Sequence, residues 1–148
     1  ETQWLDSLKG DTGPQGPQGP AGATGPAGAG ITSITPATRA FGTAFTVSAT
    51  RQAFVSYTVT TAATNPLLAG TSSASVDLQY STNGGTTWVT LGSAATGLSV
   101  GLAVSITLTN TTESTLAGFI PAGAQVRLVS AVTGTGSTSY LSGQETLF

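Results

Sequence analysis

The chain has no cysteine, no histidine and no methionine. Lack of cysteine excludes a disulfide framework and any thiolate-ligated metal. Lack of histidine removes the usual general base. Gly97-Leu98-Ser99-Val100-Gly101 has the spacing of a hydrolase nucleophile elbow, yet the chain has no histidine to take the serine proton, and a strand running into Val100 is the wrong setting for that turn. Lack of methionine, with an opening Glu1-Thr-Gln-Trp-Leu-Asp6 that has neither the basic start nor the apolar stretch of a secretory signal, leads us to expect a C-terminal fragment or a processed product.

Charge is almost as scarce. Charged residues are 7% of the sequence, against roughly 25% in ordinary soluble domains. Past residue 30 only Arg39, Arg51, Arg127, Asp77, Glu113 and Glu145 carry charge, and they cancel. A net charge of −2 without a Lys/Arg cluster gives no electrostatic basis for binding nucleic acid or anionic lipid. The three acids lie far apart in sequence, so no glycosidase-type pair is visible. They are expected as surface charges or as ion-pair partners of Arg51 or Arg127. No enzyme, cofactor or metal site is expected. The most apolar window, Gly97 to Leu108, is too short to cross a bilayer and contains Ser99, Ser105 and Thr107. A surface so poor in charge is weakly guarded against association, which points to burial between subunits.

Glycine is abundant, and in one stretch it is periodic. It occupies Gly10, Gly13, Gly16, Gly19, Gly22, Gly25 and Gly28, with Pro14, Pro17, Pro20 and Pro26 following in the X position. Only a hydrogen side chain fits at the axis of three polyproline-type strands, so a strict Gly-X-Y register predicts a collagen-like triple helix and therefore a homotrimer. Gln15, Gln18, Ala21 and Ala27 stand in the Y position where animal collagen places hydroxyproline, which favours a bacterial or viral origin. Residues 10–30 would form a stalk on the order of 65 Å long at about 3.1 Å per residue. Seven such triplets are marginal alone, so the neighbouring domain is expected to trimerise first and set the register. Before the stalk, residues 1–9 place Trp4 and Leu8 at helical spacing, the end of a helical or coiled-coil segment.

After Gly30 the period changes to two. Phe45 to Val47, Phe54 to Thr60, Val76 to Tyr80, Val100 to Leu108, Val126 to Val132 and Ser137 to Phe148 read as half-buried strands. Turn signals stand at Thr64-Asn-Pro66, Asn83-Gly-Gly85, Asn110 to Ser114, Pro121-Ala-Gly123 and Gly134-Thr-Gly136. Seven or eight short strands with no helical period predict, for residues 31–148, an all-β, jelly-roll-like β-sandwich.

Ser81-Thr-Asn83-Gly84-Gly85-Thr-Thr-Trp88 resembles the Asp-box of sialidases, with Asn83 in place of the aspartate. In that family the motif is a folded turn whose tryptophan packs beneath a hairpin, away from the catalytic site, so one copy implies a hairpin and no sialidase activity. Stacking of a glycan on an exposed Trp88 is the minor alternative. The succession of Gln3-Trp4-Leu5, Leu8-Lys9-Gly-Asp-Thr-Gly-Pro14, a collagen-like run and a Thr/Ser-rich β domain closing on Tyr140-Leu-Ser-Gly143-Gln144-Glu145 resembles C-terminal regions of bacteriophage tail fibres. That resemblance implies a trimeric virion component whose β-rich tip binds a bacterial surface polysaccharide or an outer-membrane protein and which joins upstream fibre proteins. Tyr80, Asn83 and Trp88 are the candidate receptor contacts. The alternative is a purely structural part, such as a head fibre or spacer trimer, or a bacterial collagen-like surface protein.

Overall fold

The computed structural model describes residues 10, 12–23, 30–64, 70–101 and 107–148. The expected helical segment at 1–9 and Gly25 and Gly28 of the expected stalk lie outside the described residues. Among the described residues eight strands follow Gly30: β1 Ser33–Pro36, β2 Phe45–Thr46, β3 Ala53–Thr64, β4 Gly70–Ser81, β5 Val89–Val100, β6 Thr109–Ile120, β7 Gln125–Thr133 and β8 Gly136–Leu147. Among the described residues there is no helix.

The strands form two four-stranded sheets, ordered β1-β8-β3-β6 and β2-β7-β4-β5, and every pairing is antiparallel. β1 pairs with β8, β2 with β7, β3 with β6 and β4 with β5. This nesting is that of one long hairpin folded over on itself, the strand order of a jelly-roll-like sandwich. We call the sheet containing β1 the first sheet and its partner the second.

Period two in the sequence becomes two faces in space. Along β3, Ala53, Val55, Tyr57, Val59, Thr61 and Ala63 are all buried, while the residues between them are half-buried on the outer face. From the second sheet Val76, Leu78, Val126 and Leu128 meet them, and Leu116 and Ile120 close the same core. At about 25 cal/mol per Å2 of apolar surface, each of these side chains contributes roughly 1.5–3 kcal/mol. The two sheets also meet along the β5–β6 edge, where Leu91 lies against Gly118 and Leu116 against Gly92.

The core is not uniform. Large side chains such as Tyr57, Leu78, Ile120 and Leu128 fill one half, and Ser72, Ala63, Ala74 and Thr96 fill the other. In the second half each buried hydroxyl has a partner, Thr61 with Thr96 at 2.7 Å across the sheets and Ser72 with the exposed Thr135 at 2.9 Å. Burying a hydroxyl without a partner is costly, and no buried side-chain polar atom among the described residues lacks one.

The chain enters beside the end of β8, where the Thr32 amide donates to the Leu147 carbonyl at 2.8 Å. At this entry end lie the β4–β5 and β6–β7 turns, the start of β3 and Phe148, whose amide donates to the Gln52 carbonyl at 3.1 Å. The far end carries the β7–β8 turn, the end of β3 and the starts of β4 and β6.

Two expectations need correction. Asn110 to Ser114, read as a turn, is the first half of β6, paired in register with Thr60 to Ala63 of β3 and Val59. Its threonines are β-branched and suit a strand, and because both their faces are polar the apolar alternation that marks a strand is missing. Five strands run 12 residues each and are not short. The strand expected over Val100 to Leu108 falls largely on residues 102–106, outside the described residues, and β5 precedes it over a Ser/Ala/Gly/Thr-rich segment with little alternation.

Candidate functional site

The β4–β5 turn is built by its own side chains. Gly84 and Gly85 have φ of 68° and 85°, a left-handed conformation that costs a glycine nothing. The Ser81 hydroxyl donates to Asn83 Oδ1 at 2.8 Å and accepts the Gly85 amide at 2.9 Å. Asn83 Oδ1 also accepts the Thr87 amide at 3.0 Å, while Asn83 Nδ2 donates to Thr87 Oγ1 at 2.8 Å. The side-chain amide is thus spent on holding the turn, which is the structural use that the Asp-box resemblance implies.

Trp88 leaves this turn half-buried, with the Arg127 guanidinium 4.0 Å over its ring. Gln79 Oε1 accepts from Arg127 Nε at 2.9 Å and keeps the guanidinium in place. The cation covers one face of the indole, an arrangement worth about 0.5–1 kcal/mol at an exposed site. Tyr80 is one residue on from Gln79 and therefore faces the other way, half-buried against the core. Of the three candidate contacts, Asn83 and Trp88 share one turn and Tyr80 sits on the opposite face of the second sheet. All three lie at the entry end, where the chain runs into β1.

A second constellation had no local signal. The Arg39 guanidinium grips Glu145 with two hydrogen bonds, Nε to Oε1 at 2.8 Å and Nη2 to Oε2 at 2.7 Å. The Tyr57 hydroxyl donates to the same Oε1 at 2.6 Å. Arg39 also lies 3.9 Å over the Phe45 ring, and the Tyr140 hydroxyl donates to the Ala37 carbonyl at 2.6 Å. Burial first, and then the hydrogen bond to the Glu145 carboxylate, push the Tyr57 phenol far above its ordinary range. Burial and the Glu145 charge raise Tyr140 in the same direction. Gly143 makes the approach possible, since a Cβ there would run into the Tyr140 hydroxyl and the Tyr57 ring.

Glu145 therefore pairs with Arg39, and the expected pairing with Arg51 or Arg127 is corrected. A planar guanidinium on the segment that joins β1 to β2 is well placed to reach a carboxylate on β8, whereas Arg127 is taken up by Trp88 and Gln79. The cluster staples residues 37–45 to both sheets, and each oxygen of its carboxylate accepts from at least one donor. Asp77 and Glu113 do not join it. Asp77 is on the outer face of the second sheet and Glu113 on that of the first, opposite Thr60. Ser99 of the elbow-like motif is an exposed strand residue paired with Thr71. Among the described residues no group of three or more acids, histidines or cysteines is placed to hold a metal ion.

No family model matches this chain, and no curated protein matches it.

Proposed function

We propose that this chain is the C-terminal part of a bacteriophage tail fibre, a homotrimer whose sandwich attaches the virion to a bacterial surface polysaccharide or outer-membrane protein. The observation that carries the reading is the junction of a strict Gly-X-Y tract with one end of a β-sandwich. Only two residues separate Gly30 from Ser33 of β1, so the far end is left clear of the stalk. At Gly10, Gly13, Gly16, Gly19 and Gly22 a Cβ would meet nothing within 4 Å in the single chain. The chain itself supplies no steric reason for glycine there, whereas close neighbours in a triple helix would supply one.

Three copies of one surface multiply weak contacts by avidity, which suits attachment to a repetitive cell surface. Two surfaces compete for the receptor. The far end offers exposed hydroxyls of Thr71, Thr109, Thr133 and Thr135, and the flank of the second sheet offers Trp88 beneath Arg127. Binding of the labelled full chain to a panel of bacterial cells and immobilised surface polysaccharides tests the reading. Retention on at least one host is expected. Loss in Trp88→Ala alone would assign the flank, and loss in a Thr71→Ala, Thr109→Ala pair the far end. A trimer that binds no cell or polysaccharide would favour a purely structural fibre part.

A further inference from the structure

The outer faces of the two sheets differ. That of the second sheet carries Asp77 and Arg127 among Ser, Thr, Gln and small residues such as Ala95 and Ala131, with Val129 beside Asp77. On the first sheet, register places Ile34, Thr146, Phe54 and Phe119 side by side across all four strands. Phe54 and Phe119 stack with ring centroids 5.0 Å apart, and Phe148 adds a third ring 6.0 Å from Phe119. Phe119 is 57% exposed and Ile34 54%. The next row, Pro36, Gln144, Ser56 and Ala117, is uncharged as well. The nearest charged side chain on this face is Glu113, three rows from Phe119 along β6.

This apolar row adjoins the stalk. Gly30 and Ser33 are three residues apart, a span of at most about 11 Å, and β1 is the edge strand of the first sheet. Any triple helix ending at Gly30 therefore holds three copies of the first sheet close to its axis. An apolar row exposed beside such an axis is where identical chains meet at lowest cost in polar desolvation.

We propose that the outer face of the first sheet, centred on Phe54, Phe119, Phe148 and Ile34, is the surface by which three copies of this chain pack together. The second sheet then faces outward. The inference rests on the trimer read from the Gly-X-Y tract and adds which face makes it. It also gives the β domain the means to set the register of a stalk too short to assemble alone.

Light scattering on the full chain and on Phe119→Asp and Ala131→Asp tests it, Ala131 being an exposed residue on the outer face of the second sheet. Trimers are expected for the parent and Ala131→Asp, and monomers with an unchanged β circular-dichroism spectrum for Phe119→Asp. A Phe119→Asp trimer as heat-resistant as the parent overturns the assignment of the face while leaving the trimer standing. A monomeric parent overturns both. A second measurement does not depend on how Phe119→Asp folds. The chain has no native cysteine, so Ala117→Cys and Ala131→Cys, both exposed in the single chain, can be alkylated one at a time. At least tenfold slower alkylation at position 117 than at 131 is expected, and equal rates would overturn the proposal.

Discussion

Tyr57 and Glu145 lie 88 residues apart and are joined by a 2.6 Å hydrogen bond from the phenol to the carboxylate. The bond crosses from β3 to β8, and through Arg39 it reaches the segment leading to β2. Glu145→Ala removes the acceptor of a buried phenol and of a half-buried guanidinium together. A loss of about 2–4 kcal/mol is expected from the cost of unpaired buried donors. Tyr57→Phe leaves the ion pair intact and should cost only about 1–2 kcal/mol. Urea unfolding of the two variants, read by far-UV circular dichroism, checks the order.

The raised phenol of Tyr57 makes the fold sensitive to alkali. An unfolded tyrosine ionises near pH 10, while the folded Tyr57 keeps its proton well beyond that. The resulting stability is complete below about pH 10 and is lost as the pH climbs past it, because the unfolded chain then releases a proton that the folded chain retains. Stability should be flat from about pH 7 to 9 and fall above 10 by up to about 1.4 kcal/mol per pH unit for this group. Tyr140, raised by the same two causes, acts in the same direction. Tyr57→Phe should have a shallower alkaline fall than the parent, and an equal slope would contradict the assignment.

The buried Thr61–Thr96 pair has an asymmetric partner. Thr61 Oγ1 also reaches the Thr112 carbonyl at 3.5 Å, so it keeps an acceptor when Thr96 is changed. Thr61→Val leaves Thr96 unpaired and is expected to cost about 1–3 kcal/mol, Thr96→Val less, and the double valine variant little beyond the milder single one. Chemical denaturation across the full cycle gives the coupling.

Asn83 holds the β4–β5 turn through three hydrogen bonds made by its side chain. Asn83→Ala should cost about 1–2 kcal/mol, whereas Asn83→Asp, which restores the Asp-box residue and keeps the Oδ1 acceptor, should cost less. If Asn83 touches the receptor instead, both variants would lose host binding at full stability.

Gly19→Val tests the division into stalk and sandwich. A valine at the axis of a triple helix disrupts it locally, so the collagen-like circular-dichroism transition should fall in temperature while that of the sandwich stays. Loss of both together would mean that the two do not melt as separate units.

The strands that bury large side chains were legible in the sequence, because Val55, Tyr57 and Val59 or Val126 and Leu128 alternate with polar residues. The far half of the sandwich was not. There Thr61, Ser72 and Thr96 do the work of valine in the core and look like loop residues in a chain rich in threonine and serine. The turns at Gly84, Gly123 and Gly134 could be placed because positive φ needs glycine, and all three adopt it. Of the candidate contacts, Asn83 and Trp88 were visible through their spacing, but their position at the entry end depends on topology. The Arg39–Glu145 pair spans 106 residues, and neither residue carries a local sign of the other.

β8 is the last of the eight strands in sequence and yet lies between β1 and β3 in its sheet. During synthesis, which proceeds at about 5–20 residues per second, β1 has no strand to pair with until the stretch ending at Leu147 has left the ribosome. Until then one edge of β3 also stands open, a surface prone to wrong pairing. The first sheet closes only once β8 has emerged, and a chain that lacks the twelve residues of β8 is an unfinished sheet rather than a smaller version of the same domain.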